Sequence, residues 1–351
     1  MLWVVLAALW FVTMPIRPLL DPDEGRYAEI PREMAATGDW ITPRLDGLKY
    51  FEKPPLQYWA TAAAYSVFGF SEWTARLWTV GLAFLCLPMV FGWTARLYGQ
   101  PAGFAALMAL AASPYFGLIA HLNLLDGGFA FWLASAIFAF TLAQCSPDGS
   151  SSERRWMLGT WLTAALAVLT KGIVVGVLAG GTLVIYSLLE RDWRPWRRLH
   201  LLSGIPLFLV VTVPWFVAVS IRNPSFLEFF FIHEHFARFL TTVHKRVEPW
   251  WYFLGLLLLG ALPWLAVLPG AVRRAWLESP RENRFKPLKF QLLFAALTLV
   301  FFSVSESKLA PYILPMMPAL AAVVGVHVAR GSERFVRRVA QFMAGLLLFL
   351  G

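Results

Sequence analysis

Residues 21–27 read DPDEGRY, placing Asp21, Asp23 and Glu24 close together directly after an apolar run. A carboxylate there could take a proton from an attacking hydroxyl. An aspartate just before a helix could equally accept the helix's free N–H groups. Arg26 and Tyr27 follow in the same stretch. Further on, YFEKPPLQYW sets Glu52 and Lys53 beside a double proline. That reads either as a surface charge pair at a turn or as a lysine that holds a phosphate next to a carboxylate that positions a group or ligates a metal. Asp126 stands at the start of an apolar run and Lys171 between two such runs. Asp126 could cap a helix; Lys171 could snorkel to the membrane surface or bind a lipid phosphate.

IHEHFARF is the densest histidine cluster. His233 and His235 are two apart and would not share a helix face, so they do not form an HExxH-type pair. One of them could join Glu52 across loops in a sparse site for zinc or another divalent metal. Arg238 lies one helical turn beyond His235, and its planar guanidinium suits bidentate phosphate contact. In SESKLAPYILP, Lys308 and Tyr312 fall at i and i+4, on one face of a helix. They would serve as an interfacial anchor or as a phosphate clamp.

The elements that must carry these residues are read from composition. The 351 residues are 58% hydrophobic and 15% charged, with 17 Trp and 29 Phe. A soluble domain carries roughly 25% charged residues. Apolar runs of roughly 15–22 residues recur along the chain, matching helices that cross a hydrocarbon core about 30 Å thick. The fold class expected is an all-α, polytopic integral membrane protein. The net charge of +9 comes from Lys and Arg in short loops, which is the topology signal of cytoplasmic loops; no nucleic-acid partner is expected. Cys86 and Cys145 both lie in apolar segments, which leaves no disulfide framework and no cysteine metal site. Leu2 to Val12 reads as a first span rather than a signal peptide, lacking a basic lead and a small-residue cleavage site. The sequence stops inside the apolar run from Phe342 to Gly351, so continuation beyond it is expected.

Segments 190–200, 273–289 and 330–338 are strongly basic and read as cytoplasmic. Working backwards, 145–155 and 94–99 fall on the same side. The stretches 17–76, 121–126, 222–250 and 305–310, together with Lys171, fall outside. Leu56 to Phe70, short and preceded by Pro54-Pro55, is expected to lie along the external interface instead of crossing. The count is about ten spans plus the start of another. Every polar residue singled out above then lands at one external face, and charged groups at membrane depth usually mark a functional cavity or a paired structural site.

The ordered motifs DPDEGRYAEIPREM, FEKPPLQYW, GFSEWTARLW, LLD, LTKG, EHFARF and SESKLAPYILP resemble bacterial membrane glycosyltransferases of the lipid A 4-amino-4-deoxy-L-arabinose transferase kind, within the protein O-mannosyltransferase superfamily. The resemblance covers nearly the whole chain. It implies a GT-C fold in a bacterial inner membrane, with interfacial helices in the first external loop and the active site facing the periplasm. It also implies an undecaprenyl phosphate sugar as donor and lipid A, another glycan or a protein as acceptor. On that pattern Asp23, Glu24 and Asp126 are the catalytic carboxylates. Lys53, Arg26, Tyr27, Lys171, Arg238, Lys308 and Tyr312 hold the donor phosphate, and Glu52 with His233 or His235 is the metal set. Relatives usually carry more spans and a soluble C-terminal domain, and neither is present in these residues.

Transfer from such a donor needs no nucleotide. As the sugar–phosphate bond breaks, charge builds on the phosphate and nearby cations stabilise it. A carboxylate, best filled by Asp23, accepts the acceptor's proton. A transporter of lipid-linked sugars is the competing class. It would place charges at the bilayer midplane within matching halves, and this sequence has neither.

Overall fold

Serine caps set three of the helix starts. Ser71, Ser113 and Ser150 stand before helices and accept the backbone N–H of Thr74, Phe116 and Glu153 at 3.3, 3.3 and 3.1 Å. Such caps satisfy donors that a helix cannot bond internally. The structure, a computed structural model, describes residues 2–230, 248–281 and 283–332 and scattered positions from 334 to 345.

The chain begins with α1 (Leu2–Val12), α2 (Asp23–Thr37), a hairpin of β1 (Arg44–Leu45) and β2 (Leu48–Lys49), and α3 (Leu56–Phe68). Next come α4 (Glu72–Tyr98), α5 (Gln100–Ala111), α6 (Pro114–Ala120), α7 (Leu125–Cys145) and α8 (Ser151–Lys171). A π-helical turn, Gly176–Gly180, leads into α9 (Gly181–Glu190), followed by α10 (Arg194–Arg197) and α11 (Leu201–Arg222). The described elements end with α12 (Tyr252–Gly260), α13 (Leu268–Trp276), α14 (Pro287–Val304) and a 3-10 helix, Ala310–Met316, that runs into α15 (Met317–Ala329).

The protein is a multi-pass membrane chain, helical apart from the short hairpin of β1 and β2 among the described residues. Among the described residues five helices are long and apolar enough to cross a membrane. The pair α5 and α6, bent by 63°, makes six if taken as one span. That is fewer than the roughly ten apolar runs counted along the sequence. The difference has a local cause: several runs are not single helices. Ser113-Pro114 starts a new helix inside one, the π-helical turn interrupts another, and a 3-10 turn at Leu262–Trp264 divides a third.

α7 packs on α4 and α8, α5 on α15, and α11 on α8. α7 and α15 are mostly enclosed by other helices, whereas α11 leaves Leu202, Val210, Val217 and Ile221 exposed, as a lipid-facing helix does. Close approach at the head of α7 depends on Gly127. A side chain there would come within 3.0 Å of the Thr79 carbonyl of α4, so glycine lets the two helices meet where Asp126 begins the helix.

The bundle sorts its charges by end. At one end Arg198 reaches the carbonyls of Ala143, Gln144 and Ser146, Lys286 and Lys289 pair with Glu190, and Arg281 bonds the Leu97 carbonyl. Arg330 stacks over Tyr98 at the same end, 5.5 Å from the ring. These contacts join the segments that loop charge assigned to one side. At the other end Glu24 is tied to Arg76 and Asn123, and Lys171 to Asp126 and Tyr312.

Candidate active site at the second charged end

The hairpin delivers the first group. Asp46 and Gly47 form its two-residue turn, both left-handed at φ 53° and 77°, the geometry that matches the twist of paired strands. The outgoing strand runs straight into Tyr50, Phe51, Glu52 and Lys53, and the Tyr50 N–H closes back on Pro43 at 2.9 Å. Phe51 anchors this stretch in a cluster with Trp215, Val219, Phe226 and Phe230. Pro55 then stands at the N-cap of α3, where a fixed φ and a missing N–H cost nothing.

Asp23 and Glu24 are neighbours in sequence with opposite surroundings. Neither caps α2 through its side chain; Pro22 occupies the N-cap. Glu24 is buried and each of its oxygens accepts three hydrogen bonds. Oε1 takes Arg17, Arg76 and the Asn123 N–H, and Oε2 takes Arg17, Arg76 and the Leu20 N–H. Burial works to raise its pKa, but the two guanidiniums and two backbone donors outweigh it and hold the carboxyl at about 2. Glu24 is therefore a clamp joining α1's exit, α2, α4 and the α6–α7 turn. This corrects the expectation that it acts as a catalytic carboxylate: no lone pair is left for a substrate. Asp23 is 37% exposed and makes one loose pair with Arg26, 3.5 Å away.

Arg26 also donates to the Tyr50 hydroxyl at 3.3 Å. Burial works against its charge, but Tyr50, Tyr27 and Glu52 outweigh that and raise its pKa. Burial pushes the Tyr27 phenol up, and Tyr50, Asp126 and Glu52 add to it. Tyr27 stacks on Tyr58 with ring centres 6.4 Å apart. Tyr50 bonds Glu52 as well as Arg26. Lys53 donates to the Glu52 carbonyl at 2.8 Å.

A second group faces Tyr27 from the span ends. Asp126, in the first turn of α7, pairs with Lys171 at the end of α8. The Lys171 ammonium lies over the Tyr312 ring, 4.5 Å from its centre, and 5.3 Å from that of Phe129. Tyr115 donates to the Ala310 carbonyl at 2.6 Å, which fixes the 3-10 helix that carries Tyr312. Lys308 and Tyr312 do not share an α-helix face as their spacing predicts. Leu309 is extended and Ala310–Met316 is a 3-10 helix with Pro311 at its start, so Lys308 turns back to donate to the Ser305 carbonyl at 2.7 Å.

The structure thus brings together Asp23, Arg26, Tyr27, Glu52 and Asp126, with Lys171 on Asp126 and the Tyr312 ring beneath Lys171. Lys53 sits beside Glu52. His233, His235 and Arg238 lie outside the described residues. Arg17, Arg76, Asn123, Tyr50 and Tyr58 were not expected in the network. Asp46-Gly47 between apolar residues is the hairpin signal that would have found Tyr50. Arg76 and Asn123 have no such signal. The arrangement offers an open carboxylate beside cations and phenols that can neutralise and hydrogen-bond a phosphate.

Residues 2–230 match the family described as dolichyl-phosphate-mannose-protein mannosyltransferase. The undecaprenyl phosphate-alpha-4-amino-4-deoxy-L-arabinose arabinosyl transferase of Pseudomonas aeruginosa strain UCBPP-PA14 is 35% identical over 99% of this chain and 62% of its own length. The enzyme numbered 1 from Sodalis glossinidius is 34% identical over 98% of this chain and 62% of its own. The crystal structure of ArnT from Cupriavidus metallidurans bound to undecaprenyl phosphate aligns with a TM-score of 0.92 and 42% identity, over 98% of this chain and 62% of that one. An Archaeoglobus fulgidus oligosaccharyltransferase, 14% identical with a TM-score of 0.61 over 99% of this chain and 51% of that one, shares the fold, which is GT-C. The chain spans about 60% of the length of the curated relatives it matches.

Proposed function

We propose a function from one established premise: the chain belongs to the dolichyl-phosphate-mannose-protein mannosyltransferase family. It is a glycosyltransferase that moves a sugar, 4-amino-4-deoxy-L-arabinose by its relatives, from undecaprenyl phosphate to a lipid A-type acceptor. It works at the periplasmic face of the bacterial inner membrane. The observation that carries this reading is the gathering of Asp23, Arg26, Tyr50 and Glu52 against Asp126, Lys171 and Tyr312 at one end of the bundle, in a fold aligned over 98% of its length with a relative bound to undecaprenyl phosphate.

Asp23 is the base. It keeps open lone pairs beside the donor site and takes the proton of the attacking acceptor oxygen. Arg26, Lys53 and Arg238 hold the donor phosphate and stabilise the charge that grows on it as the glycosidic bond breaks. Asp126 orients Lys171, and Tyr27 separates the two charged groups with a protonated phenol. The basic opposite end fits the cytoplasm, and α3 fits a helix lying along the outer membrane surface. A divalent metal on Glu52 and His235 belongs to the same reading. The Glu52 carboxylate, already beside Tyr50 and Arg26, is an oxygen ligand of the right type, and the metal would supply further positive charge near the phosphate. Metal content that is unchanged in Glu52→Ala and His235→Ala would remove it.

The test of the function is mass spectrometry of lipid A from cells with and without the full-length protein. A sugar-sized mass that disappears from lipid A in the null and in Asp23→Asn supports the reading. A change confined to another glycan or a glycoprotein moves the acceptor, and no change anywhere points to a transporter.

A further inference from the structure

The end of the bundle away from Asp23 carries arginines that the fold leaves open. Arg191, Arg194 and Arg197 stand in the connection between α9 and α11, and all are exposed. The carboxylates around them are committed to other cations. Glu190 takes Lys286 and Lys289, Glu153 takes Arg198 and His200, and Asp148 pairs with Arg198 at 3.1 Å. Asp192 accepts the Arg194 backbone N–H at 3.0 Å, and its carboxylate lies 3.9 Å from the Arg194 guanidinium. Among the described residues Arg191 and Arg197 make no ion pair.

The backbone that carries them is pinned on both sides. The Trp196 indole donates to the Ser187 hydroxyl at 2.9 Å, which ties α10 to α9. Trp161 of α8 donates to the Leu199 carbonyl at 2.8 Å, and Arg198 reaches the carbonyls that end α7. Arg194 and Arg197, three apart on α10, stand one turn from each other on the same side. Apolar side chains flank them. Leu188 and Leu189 at the end of α9, Trp193 in the connection and Leu202 at the start of α11 are exposed, Leu202 at 97%. α11 is long and apolar enough to span the membrane, so its first turn marks the edge of the hydrocarbon and puts the arginines at headgroup depth.

We propose that the α9–α11 connection binds an anionic phospholipid of the leaflet at this end of the bundle. Arg191, Arg194 and Arg197 take its phosphate headgroup, and Trp193 and Leu202 lie against its chains. The guanidinium fork suits a phosphate oxygen pair, and clustered basic residues beside a span attract anionic lipids. A nucleic acid or an acidic peptide would match the arginines but leave Trp193 and the leucines in water. A zwitterionic lipid brings its own cation and leaves the arginine charge unanswered. The site lies at the opposite end of the bundle from Asp23 and Lys53, so this lipid is neither sugar donor nor acceptor.

The test is native mass spectrometry of the full-length protein, titrated in detergent with dioleoylphosphatidylglycerol or dioleoylphosphatidylcholine. Wild type should hold phosphatidylglycerol about ten-fold more tightly or better. Arg191→Gln, Arg194→Gln and Arg197→Gln combined should abolish that preference, and the same three changed to Lys should keep most of it. Arg222→Gln, an exposed arginine at the opposite end, should leave it unchanged, and Trp193→Ala should weaken both lipids by a smaller factor. Soluble glycerophosphoglycerol should not displace the bound lipid. Equal affinity for the two lipids in wild type would overturn the proposal, as would a preference that survives in the triple Gln variant. So would an equal loss in Arg222→Gln, which would make the effect one of total charge, or displacement by the soluble headgroup, which would make it a site for free phosphates. If the triple variant does not fold, judged by its unfolding midpoint in phosphatidylcholine nanodiscs, Arg197→Gln alone carries the comparison with a loss of about five-fold.

Discussion

The two ends of the bundle handle charge differently. At the end built from 143–153, 190–200 and 278–289, charges are mostly closed on one another, the Arg198 Nε being a buried donor without a partner among the described residues. Glu153 accepts from Arg198 at 2.9 Å and His200 at 3.0 Å, and Glu190 accepts from Lys286 at 2.6 Å and Lys289 at 2.5 Å. Half-buried Glu278 takes the Tyr98 hydroxyl and the backbone N–H groups of Leu288 and Lys289. At the opposite end one carboxylate, Glu24, is saturated in the same way, but among the described residues Asp23 makes one loose pair, with Arg26. Paired charges hold helices together; charges with open valence await something from outside. The contrast between Asp23 and Glu24 puts both behaviours on adjacent residues.

The largest effect should come from breaking the Glu24 clamp. Arg76→Met removes one partner of a buried pair, and such changes cost about 3–5 kcal/mol. Thermal unfolding should show the loss, and donor binding should fall with it because α2 carries Asp23 and Arg26. Arg198→Met should cost about 3 kcal/mol at the closed end by the same mechanism, yet the surviving folded protein should bind undecaprenyl phosphate as wild type does. If donor affinity falls there as far as in Arg76→Met, the division between the two ends is wrong.

Acid sharpens the comparison. The Glu24 pKa is lowered from 4.5 to about 2, so the folded state binds its proton more weakly than the unfolded state. Its stabilising contribution, roughly 3 kcal/mol, is complete above pH 4.5 and is lost as pH falls towards about 2. Unfolding midpoints measured between pH 6 and 2 should show that loss in wild type and a flatter profile in Glu24→Gln, which begins less stable. The smallest effect belongs to the exposed pair Arg222–Asp39, 3.2 Å apart with the arginine side chain 54% exposed. Arg222→Ala should shift stability by less than about 1 kcal/mol.

The sorting of loops by end was legible in the sequence because loop charge alternates with apolar runs, and each basic segment was long enough to read. The gathering of Asp23, Glu52, Asp126, Lys171 and Tyr312 followed from it. The separate roles of Asp23 and Glu24 were not legible. They depend on Arg17, Arg76 and Asn123, which arrive from other elements and look ordinary where they stand. Lys308 and Tyr312 misled for a local reason: their spacing fits an α-helix, but Pro311 and extended Leu309 impose another path. The breaks inside the apolar runs were not legible, because such a run does not reveal that a Ser-Pro pair or a π-helical turn divides it.

The central claim is that Asp23 is an open carboxylate that does chemistry, while the cations around it hold the donor. Undecaprenyl phosphate affinity and single-turnover sugar transfer, measured together in wild type, Asp23→Asn and Lys53→Ala, test it most directly. Asp23→Asn should bind undecaprenyl phosphate as wild type does and lose transfer by a factor of about 100 or more, whereas Lys53→Ala should lose affinity. Affinity and transfer that fall together in Asp23→Asn would contradict the account and make Asp23 a binding residue.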